Sequence, residues 1–307
     1  MMPPPTTALT GTGTSGGIFR DWSLFIFFDK SGAVTYHVFF MKLLGFDDKN
    51  IIKAWAMRIL LTNDDGYKAP GIQALYEQFR QHHEVIMVAP EGEQSAVGHG
   101  ITINEPLRMK KISQDGDSRI YAVSGKPADC VKLSLFDIYK TPPDLVISGI
   151  NAGSNTGVNI HYSGTAGAAR EATLNGLPAL AVSIKIGKIM DFQGMAIYTE
   201  TIAKKINYNA LPKGTFVNIN APAGKISDVK GVKTTCQSME NISTRFDKRD
   251  DPRGRPYFWY GNLPPASEIE TTDDAAVNAG FISITPLQCD ITDYSVMKEL
   301  EMDIGQR

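Results

Sequence analysis

Arg58-Ile59-Leu60-Leu61-Thr62 runs without a break into Asn63-Asp64-Asp65-Gly66, and this junction decides the architecture. A short apolar run that stops at a polar, glycine-ended turn is the pattern of a strand buried on both faces as it leaves a parallel sheet. Downstream, Ile72, Leu75, Tyr76 and Phe79 stand at i, i+3, i+4 and i+7, which predicts an amphipathic helix over 70–81 with Pro70 in its first turn. Val85 to Ala89 then reads as a second buried strand, closed by Pro90.

The alternation continues outward. Residues 101–103 and 120–123 read as strands, 127–139 as a helix and 145–148 as another buried strand. A Gly/Asn/Ser-rich loop, 149–165, leads into an alanine-rich helix over 166–175 that stops at Gly176. Strands over 179–183 and 216–219 flank a helix around 192–207. Such alternation predicts an α/β fold: a doubly wound, mainly parallel sheet with helices on both faces, Rossmann-like. Beyond Asn220 the pattern weakens, apart from one strand over 280–285 and the cluster Tyr257-Phe258-Trp259-Tyr260. This tail is read as a C-terminal hairpin or arm, about 221–307, whose aromatics serve either subunit contact or packing on its own core.

Thirty-one basic against 33 acidic side chains give a formal charge of -2, so the chain lacks the basic surplus that gathers a nucleic-acid backbone. Small phosphorylated substrates remain open. Cys130, Cys236 and Cys289 are odd in number and far apart, which fits neither a disulfide framework nor a zinc site and predicts a reducing, cytoplasmic setting. No apolar stretch reaches the roughly 18–20 residues of a membrane span.

Residues 1–56 read differently. Met1 to Gly17 is a Pro/Thr/Gly tract without periodicity, and Gly11-Thr12-Gly13-Thr14-Ser15-Gly16 meets the GxGxxG pattern without the preceding strand that a dinucleotide loop needs. The folded domain is expected to span 58–307, with Met57 as its natural start. The leader is then either an over-extended gene start or a natural disordered extension. Asn241-Ile242-Ser243 matches a glycosylation sequon without other signs of a secretory route.

In open α/β sheets ligands sit beyond the carboxyl ends of the strands. There the sequence places Asp64 and Asp65, then Ser95 and His99, then Asn151 and Asn155. Two ionised carboxylates turned to one point repel unless one is protonated or a cation sits beside them. Hydroxyl and amide companions suit a hard divalent ion, Mg²⁺ or Mn²⁺. A plain turn with solvated acids is the alternative. Ser163-Gly164-Thr165 precedes the alanine-rich helix, where backbone N–H groups and the helix dipole can hold a phosphate, or where Ser163 simply caps. His99 and His161 are candidate proton donors, and Cys130 reads as a core residue.

With those residues in view, the chain resembles the SurE family of 5'/3'-nucleotidases. The resemblance rests on MRILLTNDDGYKAPGI, VAPEGEQSAVGHGITI, VSGKPADCVKLSL, DLVISGINAGSNTGVNIHYSGTAGAAREATLNGLPALAVS, FVNINAP and AGFISITPL, in order from Arg58 to Leu287. It implies a metal-dependent phosphomonoesterase acting on nucleoside monophosphates, with short polyphosphate as a further substrate, working as a homodimer or homotetramer. It places one divalent ion per subunit on Asp64, Asp65, Ser95 and Asn151, and phosphate contacts on Asn155, Ser163, Gly164 and Thr165. Asp64 and Asp65 become the catalytic pair, Asp64 positioning or deprotonating the attacking water. Many relatives carry a basic residue where this chain has Gln94, after Glu91-Gly92-Glu93. A nucleotide-binding regulatory module with weak turnover is the competing reading.

Overall fold

The structure, a computed structural model, describes residues 56–239, 246–260 and 269–304. The leader with its GxGxxG match and the sequon at 241–243 lie outside the described residues. In chain order the elements are β1 (Arg58–Thr62), α1 (Pro70–Phe79), β2 (Glu84–Pro90), β3 (Met109–Asp115), β4 (Ser118–Val123), α2 (Pro127–Leu133), β5 (Leu145–Ala152), α3 (Gly164–Leu174), β6 (Ala179–Ile184) and α4 (Phe192–Lys205). They continue as β7 (Thr215–Ala221), β8 (Val232–Thr234), β9 (Phe246–Asp250), β10 (Pro256–Tyr260), α5 (Asp273–Asn278), β11 (Ile282–Gln288) and α6 (Tyr294–Ile304).

Nine of the described strands form one sheet in the order β3-β4-β2-β1-β5-β6-β7-β11-β8. The run from β4 through β7 is parallel throughout, while β3 and β11 join antiparallel to β4 and β7. Strand side chains alternate between faces. Ile59 and Leu61 therefore pack with Ile72, Leu75 and Phe79 of α1 and Met195 and Ala196 of α4, whereas Leu60 packs with Cys130 and Val131 of α2 and Ala166, Ala169 and Ala172 of α3. Helices thus cover both faces, which is why β1, β2 and β5 need apolar residues at nearly every position. The small side chains of α3 bring its backbone close to the sheet.

The predicted doubly wound sheet is present, with four differences. Residues 101–103 are not a strand: Ile101 and Ile103 lie in exposed coil. The antiparallel neighbour of β4 is β3, MKKISQD, an edge strand whose side chains are mostly exposed and which therefore carries no apolar alternation to read. The helix predicted over 127–139 is α-helical only to Leu133 and finishes in a π turn, Ser134–Ile138. In the tail the predicted hairpin is present, β9 pairing antiparallel with β10 and leaving Phe246, Tyr257, Phe258, Trp259 and Tyr260 exposed, but β8, α5 and α6 are additional elements that the sequence reading did not assign.

Candidate active site

The path leaves β1 toward β2 on one side, and β5, β6 and β7 follow on the other, so the carboxyl ends of β1 and β5 flank a topological switch point. The acidic turn sits there. Asn63 is buried and closes the turn by donating Nδ2 to the Gly66 carbonyl at 3.0 Å. Gly66 has φ +94, a conformation that side-chain-bearing residues rarely adopt, and a Cβ there would stand 3.2 Å from the Gly92 backbone. That close approach seats the loop after β2 on the turn, and two backbone bonds hold it: Gln94 N–H to the Asp64 carbonyl at 2.7 Å and Tyr67 N–H to the Pro90 carbonyl at 2.9 Å.

Asp64 is buried at the amino end of α3. Its Oδ1 accepts from Thr165 Oγ1 at 2.5 Å and its Oδ2 from the Thr165 N–H at 3.1 Å. A Cβ on Gly164 would fall 2.8 Å from Asp64 Cβ, so only glycine leaves the carboxylate room. Burial raises the Asp64 carboxyl above the usual carboxylate range; the Thr165 hydroxyl pulls the other way, and the neighbouring charge of Asp65 adds to the rise. Asp65 is raised by burial as well, opposed by the Ala152 N–H, which donates to Oδ2 at 3.2 Å, and reinforced by Glu93. Among the described residues neither acid is paired with a basic side chain.

Bonds from the adjacent residues Gln94 and Ala152 carry the segments of the other predicted ligands to the same turn. Asn151 immediately precedes Ala152 and gives its Nδ2 to the Gly153 carbonyl at 2.7 Å, which turns the amide oxygen away from that bond. Ser95 follows Gln94, and its hydroxyl donates to Glu93 Oε1 at 2.5 Å. Two carboxylates with no basic partner among the described residues, an amide oxygen and a hydroxyl are, by donor type, an oxygen-only set that suits a hard divalent ion better than zinc, which favours His and Cys.

Around the predicted phosphate contacts the geometry is more particular than the sequence could indicate. Ser163 is the N-cap of α3, its Oγ accepting from the Ala166 N–H at 3.0 Å. Thr165 is fully buried and spends both hydroxyl and N–H on Asp64, so the anion held at this helix terminus is the carboxylate itself. Asn155 is buried in an asparagine network: its N–H donates to Asn220 Oδ1 at 2.8 Å, its Nδ2 to Ser183 Oγ at 2.9 Å, and its carbonyl accepts from Asn218 at 2.8 Å and Asn220 at 3.1 Å.

Sequence reasoning missed Asn218, Asn220 and Ser183. A signal existed in Asn218-Ile219-Asn220, two polar residues on one face of a strand otherwise buried. Strand register places Asn151, Ser183 and Asn220 in one row across β5, β6 and β7.

His99 directs Nε2 at Glu171 Oε2, 2.8 Å away, while Lys132 Nζ and Asn175 Nδ2 engage Oε1 at 3.0 and 2.8 Å. The His99 bond, with Lys132 and Asn175 helping, holds the Glu171 acid down at about 2 against the opposing effect of burial. His161 Nε2 lies 3.1 Å from Gln237 Nε2. Cys130 is wholly buried in the core with its thiol pushed up by desolvation, as expected for a packing residue.

Comparison with known proteins converges on one family. The family profile described as survival protein SurE matches residues 59–244. A 5'-nucleotidase SurE of Heliobacterium modesticaldum is 43% identical over 251 residues, covering 81% of this chain and 92% of the relative. One of Syntrophobacter fumaroxidans is 42% identical, covering 80% and 98%. The crystal structure of the SurE protein from Aquifex aeolicus superposes with a TM-score of 0.71 at 39% identity, over 80% of this chain and 99% of that one. The matched span holds the acidic turn, the serine loop, the row of asparagines and the amino end of α3, and by that extent of likeness this chain belongs to the SurE family.

Proposed function

We propose that this chain is a metal-dependent phosphomonoesterase that hydrolyses nucleoside monophosphates; its curated relatives are named 5'-nucleotidase. The observation that carries the reading is the pair Asp64 and Asp65 at the switch point, both raised by burial, with no basic partner among the described residues and with amide and hydroxyl oxygens at hand. A divalent ion, Mg²⁺ or Mn²⁺, one per subunit on Asp64, Asp65, Ser95 and Asn151, would supply charge neutralisation at phosphorus and acidify water. Thr165 and the α3 terminus hold the Asp64 carboxyl in place and oppose the rise that burial imposes on it, so that it is fixed to position or deprotonate the attacking water. Ala152 N–H fixes Asp65 to the end of β5.

Asn155, Ser163 and Gly164 line the phosphate side of the same terminus, Asn155 held by its asparagine clamp and Thr165 acting through Asp64. Terminal cleavage of short polyphosphate would use the same centre, but Glu91, Glu93 and Gln94 offer a long polyanion no positive charge at the loop after β2. The exposed aromatic hairpin β9–β10 supports pairing of subunits into a homodimer or homotetramer. Three unpaired cysteines support a reducing, cytoplasmic setting, and no described helix is long and apolar enough to cross a membrane.

A substrate panel tests the reading. Chain stripped of metal by chelation should release little phosphate from AMP or GMP, and Mg²⁺ or Mn²⁺ should restore release by about 100-fold or more. Nucleotide binding without metal-stimulated release would favour the regulatory-module reading instead.

A further inference from the structure

We propose that Glu93 is a positioning residue for the metal centre: it accepts the hydrogen bond of the Ser95 hydroxyl and so leaves the oxygen lone pairs of Ser95 for the cation. The inference rests on the proposed metal centre. The Ser95 Oγ donates to Glu93 Oε1 at 2.5 Å, and among the described residues this is the partner of that hydroxyl. Both residues lie on a loop whose backbone is pinned at three points: Glu91 N–H to the Val123 carbonyl at 2.9 Å, Gln94 N–H to the Asp64 carbonyl at 2.7 Å, and Gly98 N–H to the Tyr162 carbonyl at 2.8 Å. Ala96, next to Ser95, has φ +55; among the described residues it is the non-glycine residue in the left-handed region, a costly conformation that persists where the surroundings impose it.

With the backbone held, the freedom left to Ser95 is the rotation of its side chain and hydroxyl. A hydroxyl has one proton and two lone pairs, so where the proton goes decides what the cation meets. A carboxylate acceptor makes the bond charge-assisted, and a cation that draws electrons from the hydroxyl oxygen strengthens it further. Without Glu93 the exposed Ser95 hydroxyl loses the acceptor that fixes its proton and is free to rotate. In the rotamers that turn the proton toward the ion, a lone pair is lost from the ligand set. This is the role that carboxylates play behind metal-bound histidines, transferred to a serine.

The test is Mn²⁺ binding to the full chain, followed by electron paramagnetic resonance, for wild type, Glu93→Ala, Ser95→Ala and the double variant. Glu93→Ala is expected to weaken Mn²⁺ binding about 10- to 100-fold, and in the Ser95→Ala background the same change should cost little more. The cycle separates positioning from simple charge, because the long-range attraction of Glu93 for a cation would persist without the Ser95 hydroxyl. Thermal unfolding of the metal-free proteins should be nearly unchanged, since the Glu93–Ser95 bond is exposed. Equal affinity in Glu93→Ala and wild type, or an equal loss in both backgrounds, would overturn the role of Glu93 while leaving the metal centre standing. Wild-type Mn²⁺ binding that survives both Asp64→Asn and Asp65→Asn would overturn the centre itself, and the role of Glu93 with it.

Discussion

Replacing Asp64 by Asn is expected to lower kcat for phosphate release from AMP by about 10³-fold or more, a barrier increase of roughly 4 kcal/mol, with Asp65→Asn close behind. The substitution keeps the shape that Gly164 accommodates and an oxygen for the Thr165 N–H, so the fold should survive. Stability supplies the second readout. Burial raises the Asp64 acid above its unfolded value. Such a group contributes stability below the unfolded value, and that contribution is lost as pH rises through the higher folded value, so at neutral pH the ionised carboxylate is a cost to the metal-free protein. Asp64→Asn removes the cost. The metal-free variant should therefore melt higher than metal-free wild type at pH 7 in scanning calorimetry, and the difference should shrink on acidification. A variant that is inactive because it has unfolded, or one that turns over at near-normal rate, contradicts this account.

Gly71→Ala should produce the largest loss of stability. A Cβ at Gly71 would lie 1.9 Å from the Ile150 carbonyl oxygen and 2.8 Å from its carbon, both backbone atoms of β5. Neither can swing aside as a side chain would. The amino end of α1 must then lift from the sheet, loosening Ile72, Leu75 and Phe79, all fully buried, and pressing on the strand end that carries Asn151. About 3 kcal/mol or more is expected, in the range of overpacking compounded by lost core contacts. Gly92→Ala is the matched control, because nothing lies within 4 Å of the added carbon, and it should stay within about 0.5 kcal/mol. Urea unfolding of both proteins gives the comparison; equal midpoints would mean that α1 does not sit against Ile150 as described.

The parallel core was legible because burial on both faces leaves a strong local mark. β1, β2, β5 and β6 are apolar runs closed by turn residues, and α1 shows its buried face at helical spacing. The edge strand β3 left no such mark, since its side chains face solvent, and the isoleucines at 101 and 103 imitated one. At the site, the acidic turn stood out as adjacent carboxylates after a strand. The grip of Thr165 on Asp64 did not, because those residues are separated by 101 positions and meet only once α3 docks on the sheet. The clamp on Asn155 was hidden for the same reason, its partners lying 63 and 65 positions away. Ser95 stood out by its place after the second strand, and the resemblance added its ligand role, whereas its bond to Glu93, two residues away, depends on how the loop is pinned.

Anomalous diffraction from crystals of the full chain grown with MnCl₂ tests the central claim most directly. One peak per chain is predicted at the carboxyl end of β1, with oxygen atoms of Asp64, Asp65, Ser95 and Asn151 around it. A peak elsewhere, or none at this turn with the Asp64 and Asp65 carboxylates directed apart, would contradict it.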